Sequence, residues 1–183
     1  MERRPSTFNA RAVVGQSNNG SIEGTIITMT SVQDRLKQLG IELPRPSVPS
    51  ANYVPFRRIG NLLLVSGQVP SKDGKDLFVG QLGADISLEQ GQAAARICAI
   101  NLLAQVNTAL DGNLERVRSV VRLGGFVNAV AGFGDHPKVI NGASDLMVAV
   151  FGDAGKHVRV AIGSSSLPRN VPVEVEGIFE VAG

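Results

Sequence analysis

The chain reads as an α+β domain, a mixed β-sheet with two helices packed on one face. Three observations point to it. Two long segments, opening at Ser87 and at Asp135, place apolar residues at helical spacing. The C-terminal stretch VPVEVEGIFEV alternates apolar and acidic residues at strand spacing. The elements follow in the order hairpin, helix, strand, helix, strand, strand, which layers the helices on one side of a sheet. At 183 residues, 43% of them hydrophobic, the chain can fill one ordinary domain core.

Residues 1–28 include RRPSTFNARAVVGQSNNGS, which has neither helical nor strand period and no apolar run of a secretory signal. They read as a disordered extension or leader upstream of a second methionine, Met29; a processed targeting peptide is the third reading. Residues 29–51 form an N-terminal helix and linker. Ser31 caps a helix carrying Val32, Leu36 and Leu39 that ends near Gly40, and ELPRPSVPSAN is proline-rich and extended. The main domain spans 52–183. YVPFRRI and NLLLVSGQV are strands joined at Gly60-Asn61, and SKDGKD is a polar turn.

Ser87 opens a long helix, with Gln90 at capping-box spacing and Glu89 at the positive end of the helix dipole. Its apolar stripe is Ala94, Cys98, Leu102, Val106, Ala109 and Leu110, and it stops at Asp111-Gly112. RVRSVVRLGGFVNAV is the next strand. Asp135-His136-Pro137 starts the second helix, with Val139, Ile140, Ala143, Leu146, Met147 and Val150 inward and a stop at Gly152. HVRVAIG and VPVEVEGIFEV are the last two strands. Helices on one face leave the other sheet face partly apolar, and self-association is the simplest cover.

Composition narrows the function classes. The net charge of +2 is a small imbalance and weak support for a nucleic-acid partner, and 4% aromatics with no tryptophan offer few base-stacking platforms. The longest aliphatic run, Leu62 to Val65, is far short of a membrane span. A single cysteine, Cys98, permits no internal disulfide and fits a reducing, cytoplasmic setting. His136 and His157 are separated, and no metal-ligand cluster is visible.

One strand pair carries unusual charges. In the last strand Val171, Val173, Val175, Phe179 and Val181 share one face; Pro172, Glu174, Glu176, Ile178 and Glu180 share the other. Three carboxylates on one face repel unless they meet cations or water. Arg159, on the preceding strand, bears a planar fork that matches a carboxylate. It either pairs with a protein glutamate or awaits a ligand's carboxylate; a solvated face or a structural ion pair stays open on the residues alone.

VSGQVP at 65–70, HVRVAIG at 157–163, LP at 167–168 and VEVEGIFEV at 173–181 together resemble the RidA/YjgF family of reactive-intermediate deaminases, formerly named for L-PSP endoribonuclease. LPRPSVPSANYVPFRRIGNLLLVSGQVP resembles its longer subgroup with an N-terminal helix. The resemblance implies a chorismate-mutase-like fold assembled as a homotrimer with clefts between subunits. It implies that Arg159 binds the substrate carboxylate and Glu174 positions water, with Tyr53, Ser66, Gly67 and Asn141 lining the substrate site. The reaction implied is hydrolysis of 2-imino or enamine acids to 2-keto acids and ammonia, with no metal or cofactor. Val160 where Ser or Thr is usual, the approach loop GDAGKH, and Gly177 in place of alanine depart from the family pattern beside that site. A non-catalytic, carboxylate-binding or regulatory trimer is the alternative; RNA cleavage is suggested only by the older name. Glu176 reads as structural, His157 as a rim residue with a general-base role as its rival, and Cys98 as a buried core residue.

Overall fold

A computed structural model describes residues 30–47 and 51–183. The expectations for residues 1–28 lie outside the described residues. Helix α1 (Val32–Gln38) is followed by β1 (Phe56–Ile59), β2 (Leu62–Gln68) and a two-stranded ribbon of β3 (Ser71–Lys72) and β4 (Lys75–Asp76). Then come α2 (Leu88–Ala109), β5 (Val117–Asn128), α3 (His136–Phe151), β6 (Val158–Ser164) and β7 (Val173–Val181).

The caps form as their residues dictate. Ser31 and Ser87 each accept from the backbone N–H three residues on, and Asp34 and Gln90 return the bond to the cap backbone. Pro137 sits in the first turn of α3, where its missing N–H costs nothing. The sheet order is β1-β2-β7-β5-β6. All neighbours are antiparallel except β5 and β6, which run parallel because α3 carries the chain back between them. The sheet is mixed, with α2 and α3 on one face, as predicted.

The period-two reading of β7 holds: Val173, Val175, Phe179 and Val181 are buried on the helix side with Leu63, Val65, Leu123 and Val127, and Val171, two residues before the strand, is buried as well. Helix α2 is buried over a wider arc than its predicted stripe. Ala95, Ala99, Leu103 and Ala104 join the core, while Ala109 is only half-buried. The cause is position, since α2 packs against both the sheet and α3. The two helices approach closely at Gly142, where a Cβ would strike the backbone carbonyl of Gln92. Helix α1 docks on the same core: Leu36 is buried, and the Glu115 carboxylate accepts from the Val32 N–H at 2.7 Å.

Among the described residues, no layer covers the opposite sheet face. Ile59, Leu62, Leu64, Val158 and Ile162 are all exposed. Registers place Ile59 opposite Leu62 and Ile162 opposite Phe126, so these side chains share that open face. No helix among the described residues is long and apolar enough to cross a membrane.

Candidate functional site

The registers divide the predicted site residues between the two faces of the sheet. Arg159 is opposite Leu123 in the β5–β6 pair, and Leu123 faces the helices. Glu174 is opposite Phe126 in the β5–β7 pair, on the open face. Within one chain Arg159 and Glu174 therefore point to opposite sides, and each collects its own partners.

Around Arg159 the helix side supplies the partners. One guanidinium nitrogen, NH1, donates to Asn141 Oδ1 at 2.9 Å and to Ser144 Oγ at 3.0 Å. Asn141 and Ser144 are three residues apart on α3, so they project from one face of it. Beyond Ser144 lies His157, with Nε2 3.0 Å from Oγ and Nδ1 2.7 Å from the Gly155 carbonyl. Arg159 meets no carboxylate among the described residues, which removes the ion-pair reading for it there. The ion pair on this sheet belongs instead to Arg122 and Glu176, at 2.8 Å on the open face. Glu176 is thus held in an ion pair within the sheet.

Glu174 lies at the other group. A register shift in the β2–β7 pair falls between Val65 and Gln68, so Ser66 and Gly67 sit in the irregular stretch. Gly67 faces Glu174 directly: a Cβ there would overlap the carboxylate. Tyr53, Gly67, Gln105, Arg169 and Glu174 are among the walls of a 240 Å³ cavity at this point. Ser66 does not line it. Its hydroxyl donates to the Val54 carbonyl at 2.9 Å, holding the segment that carries Tyr53. The cavity floor is braced from α2, where Asn101 donates to the carbonyls of Val69 and Ser71 and Gln105 to that of Ser47.

Arg169 went unnoticed in the sequence. It has left-handed backbone, φ 57°, in the short turn before β7, and its side chain grips Asp76 through two bonds of 2.8 and 2.9 Å. That grip ties β4 to the cavity rim. Burial, and then the charge of Glu176, push the Glu174 carboxyl above the ordinary carboxylate range, while Arg169 pulls it partly back. The result is a carboxylate more basic than usual, a property that suits a group taking a proton from water. Cys98 lies buried behind β7. Burial and the Glu174 charge raise its thiol well above its usual range, so it is an inert core residue.

The structure thus brings Arg159 and Asn141 together in one cluster, and Tyr53, Gly67 and Glu174 in another. Ser144 was also missed by sequence reading. The available signal was its place one helical turn from Asn141.

A mixed sheet with two helices on one face is the α+β arrangement of the YjgF, chorismate-mutase-like fold. The chain belongs to that family: the model described as "YjgF/chorismate mutase-like, putative endoribonuclease" matches residues 33–179. A Trypanosoma cruzi relative, Protein TCP17, is 42% identical over 158 residues, covering 86% of this chain and 98% of that protein. The solved structure of Atu1372, of unknown function, from Agrobacterium tumefaciens is 47% identical with a TM-score of 0.78, covering 82% of this chain and 92% of that one. A Shewanella oneidensis structure bearing the endoribonuclease label is 38% identical with a TM-score of 0.80, covering 82% and 99%.

Proposed function

We propose that the chain hydrolyses 2-imino acids to 2-keto acids and ammonia in a homotrimer, with Arg159 of one subunit and Glu174 of a neighbour facing a shared cleft. The observation that carries this reading is the state of Arg159. Its NH1 is anchored by two neutral oxygens, and its Nε and NH2 donors have no partner among the described residues. A guanidinium so held matches a small carboxylate with two parallel hydrogen bonds. The exposed apolar face supplies the reason to associate, because copies packed there cover Leu62, Leu64 and Ile162.

In this reading Arg159 fixes the substrate carboxylate and so sets the position of the adjacent imine carbon. Glu174, with its raised carboxyl, takes a proton from water as the water oxygen bonds to that carbon. Glu174 gives that proton to the imine nitrogen, which completes a carbinolamine; the carbinolamine hydroxyl proton then passes by way of Glu174 to the nitrogen, the C–N bond breaks, and ammonia leaves as the C=O bond forms. Water supplies the keto oxygen, and no oxidant or reductant enters. Tyr53 and Gly67 shape the wall on the Glu174 side, and Asn141 holds Arg159. The endoribonuclease label gains no support from the near-balanced charge.

The test generates a panel of 2-imino acids with an amino-acid oxidase and follows their disappearance with a semicarbazide trap. Wild type accelerates hydrolysis and Arg159→Ala does not. Absence of acceleration across the panel, with Arg159-dependent carboxylate binding retained, would leave a non-catalytic carboxylate-binding trimer.

A further inference from the structure

We propose that His157 and Ser144 are positioning residues that lock Arg159 in one orientation, so that the half-site accepts a carboxylate lying in the plane of the guanidinium. The inference rests on the carboxylate-binding reading of Arg159 and deepens it.

Hydrogen accounting carries it. The Gly155 carbonyl can only accept, so the 2.7 Å contact requires a proton on His157 Nδ1. In the neutral ring Nε2 is then a lone pair. Ser144 Oγ, 3.0 Å away, must donate its one hydrogen to it. With its proton committed, Ser144 offers only lone pairs, and one of them accepts from Arg159 NH1 at 3.0 Å. Asn141 Oδ1 accepts from NH1 at 2.9 Å. Both NH1 hydrogens are thereby used.

The chain of bonds runs from the Gly155 carbonyl through imidazole and hydroxyl to the guanidinium, and each member has one direction. Three of the five guanidinium hydrogens remain, one on Nε and two on NH2. The Nε–NH2 edge is the pair of parallel donors left over, and it suits a carboxylate bound side-on. Because Arg159 stands on β6, with His157 one residue before that strand, and α3 carries both Asn141 and Ser144, the receptor is assembled where a strand and a helix meet.

Removing the imidazole frees the hydroxyl to rotate and gives Arg159 back its rotamers. The test measures binding of 2-oxobutanoate by calorimetry at about pH 8, beside kcat and KM for imine hydrolysis. His157→Ala and Ser144→Ala are each expected to raise Kd and KM about threefold to tenfold, the cost of ordering one arginine side chain on binding. Turnover at saturation stays within about twofold, since the lost interaction serves ground state and transition state alike. His157→Gln sets an amide oxygen near the Nε2 position and is expected to restore most of the affinity, which a merely structural role would not predict. Ser144→Ala keeps the test open if the histidine variants fold poorly.

Wild-type affinity in both alanine variants, or a His157→Gln variant as weak as His157→Ala, overturns the positioning role while Arg159→Ala still abolishes binding. If Arg159→Ala binds 2-oxobutanoate like wild type, the carboxylate reading itself falls, and this inference with it.

Discussion

Gly67→Ala separates the stability of the fold from the placement of Glu174. The backbone of Gly67 lies outside the left-handed region, so alanine fits the chain itself. The added Cβ lands on the Glu174 carboxylate, which must retreat by at least about 1.5 Å to reach ordinary van der Waals contact. The obstacle is the far end of a flexible side chain, so the fold yields cheaply. A displaced rotamer costs about 0.5–1.5 kcal/mol. The reaction should feel it far more, because misplacing a reacting group by about 1 Å costs on the order of 100-fold in rate. The assay pairs urea unfolding with semicarbazide-trapped imine hydrolysis. The expected pattern is a small stability loss and a large fall in kcat/KM. A variant that hydrolyses imines at the wild-type rate would refute the placement of Glu174 against the reacting atoms.

Two further outcomes are expected. Glu174→Gln should raise the melting temperature at neutral pH, because the folded carboxyl is held above its usual range; the proton is bound more tightly in the folded state, so stability falls as pH climbs from the ordinary carboxylate value through the raised one. The gain should vanish below about pH 4, where the wild-type carboxyl is protonated in both states; a melting-temperature difference independent of pH would contradict the electrostatic cause. Phe179→Ala, at a fully buried site in β7 under the helices, should cost about 3–5 kcal/mol in urea unfolding, and a loss below about 1 kcal/mol would mean that the core repacks around the cavity.

The elements were legible because their signals are local. Ser31 and Ser87 announce helix starts through the residue three positions on, and β7 declares its buried face through valines at alternate positions. The second buried arc of α2 was not legible, since alanines carry little amphipathic contrast and only tertiary packing shows which of them face the sheet. Family resemblance offered a set of candidate site residues, and not their arrangement. Whether Arg159 and Glu174 share a face depends on the β5–β6 and β5–β7 registers, which are pairings between segments distant in sequence. Ser144 could have been found from its helical spacing to Asn141. Arg169 could not, because its reach to Asp76 depends on a left-handed turn in an arginine, a residue with no preference for one.

On the proposed reading, the split between faces makes assembly part of the chemistry, and that can be tested by mixing. If each cleft takes Arg159 from one subunit and Glu174 from its neighbour, neither Arg159→Ala nor Glu174→Gln homotrimers contain an intact cleft. Refolded together in equal amounts, the two variants exchange into mixed trimers. A cleft is intact when the arginine comes from a Glu174→Gln chain and the glutamate from an Arg159→Ala chain. Random assembly gives that pairing in roughly one cleft in four. Recovery of about a quarter of wild-type imine hydrolysis is therefore expected from two inactive parents. A site closed within one chain predicts no recovery at any mixing ratio, because each chain then carries one lesion in its own site. The open face supplies a second control: a charged residue in place of Leu64, exposed there, should abolish both trimer formation and activity in the same sample, as measured by sedimentation and by the trap.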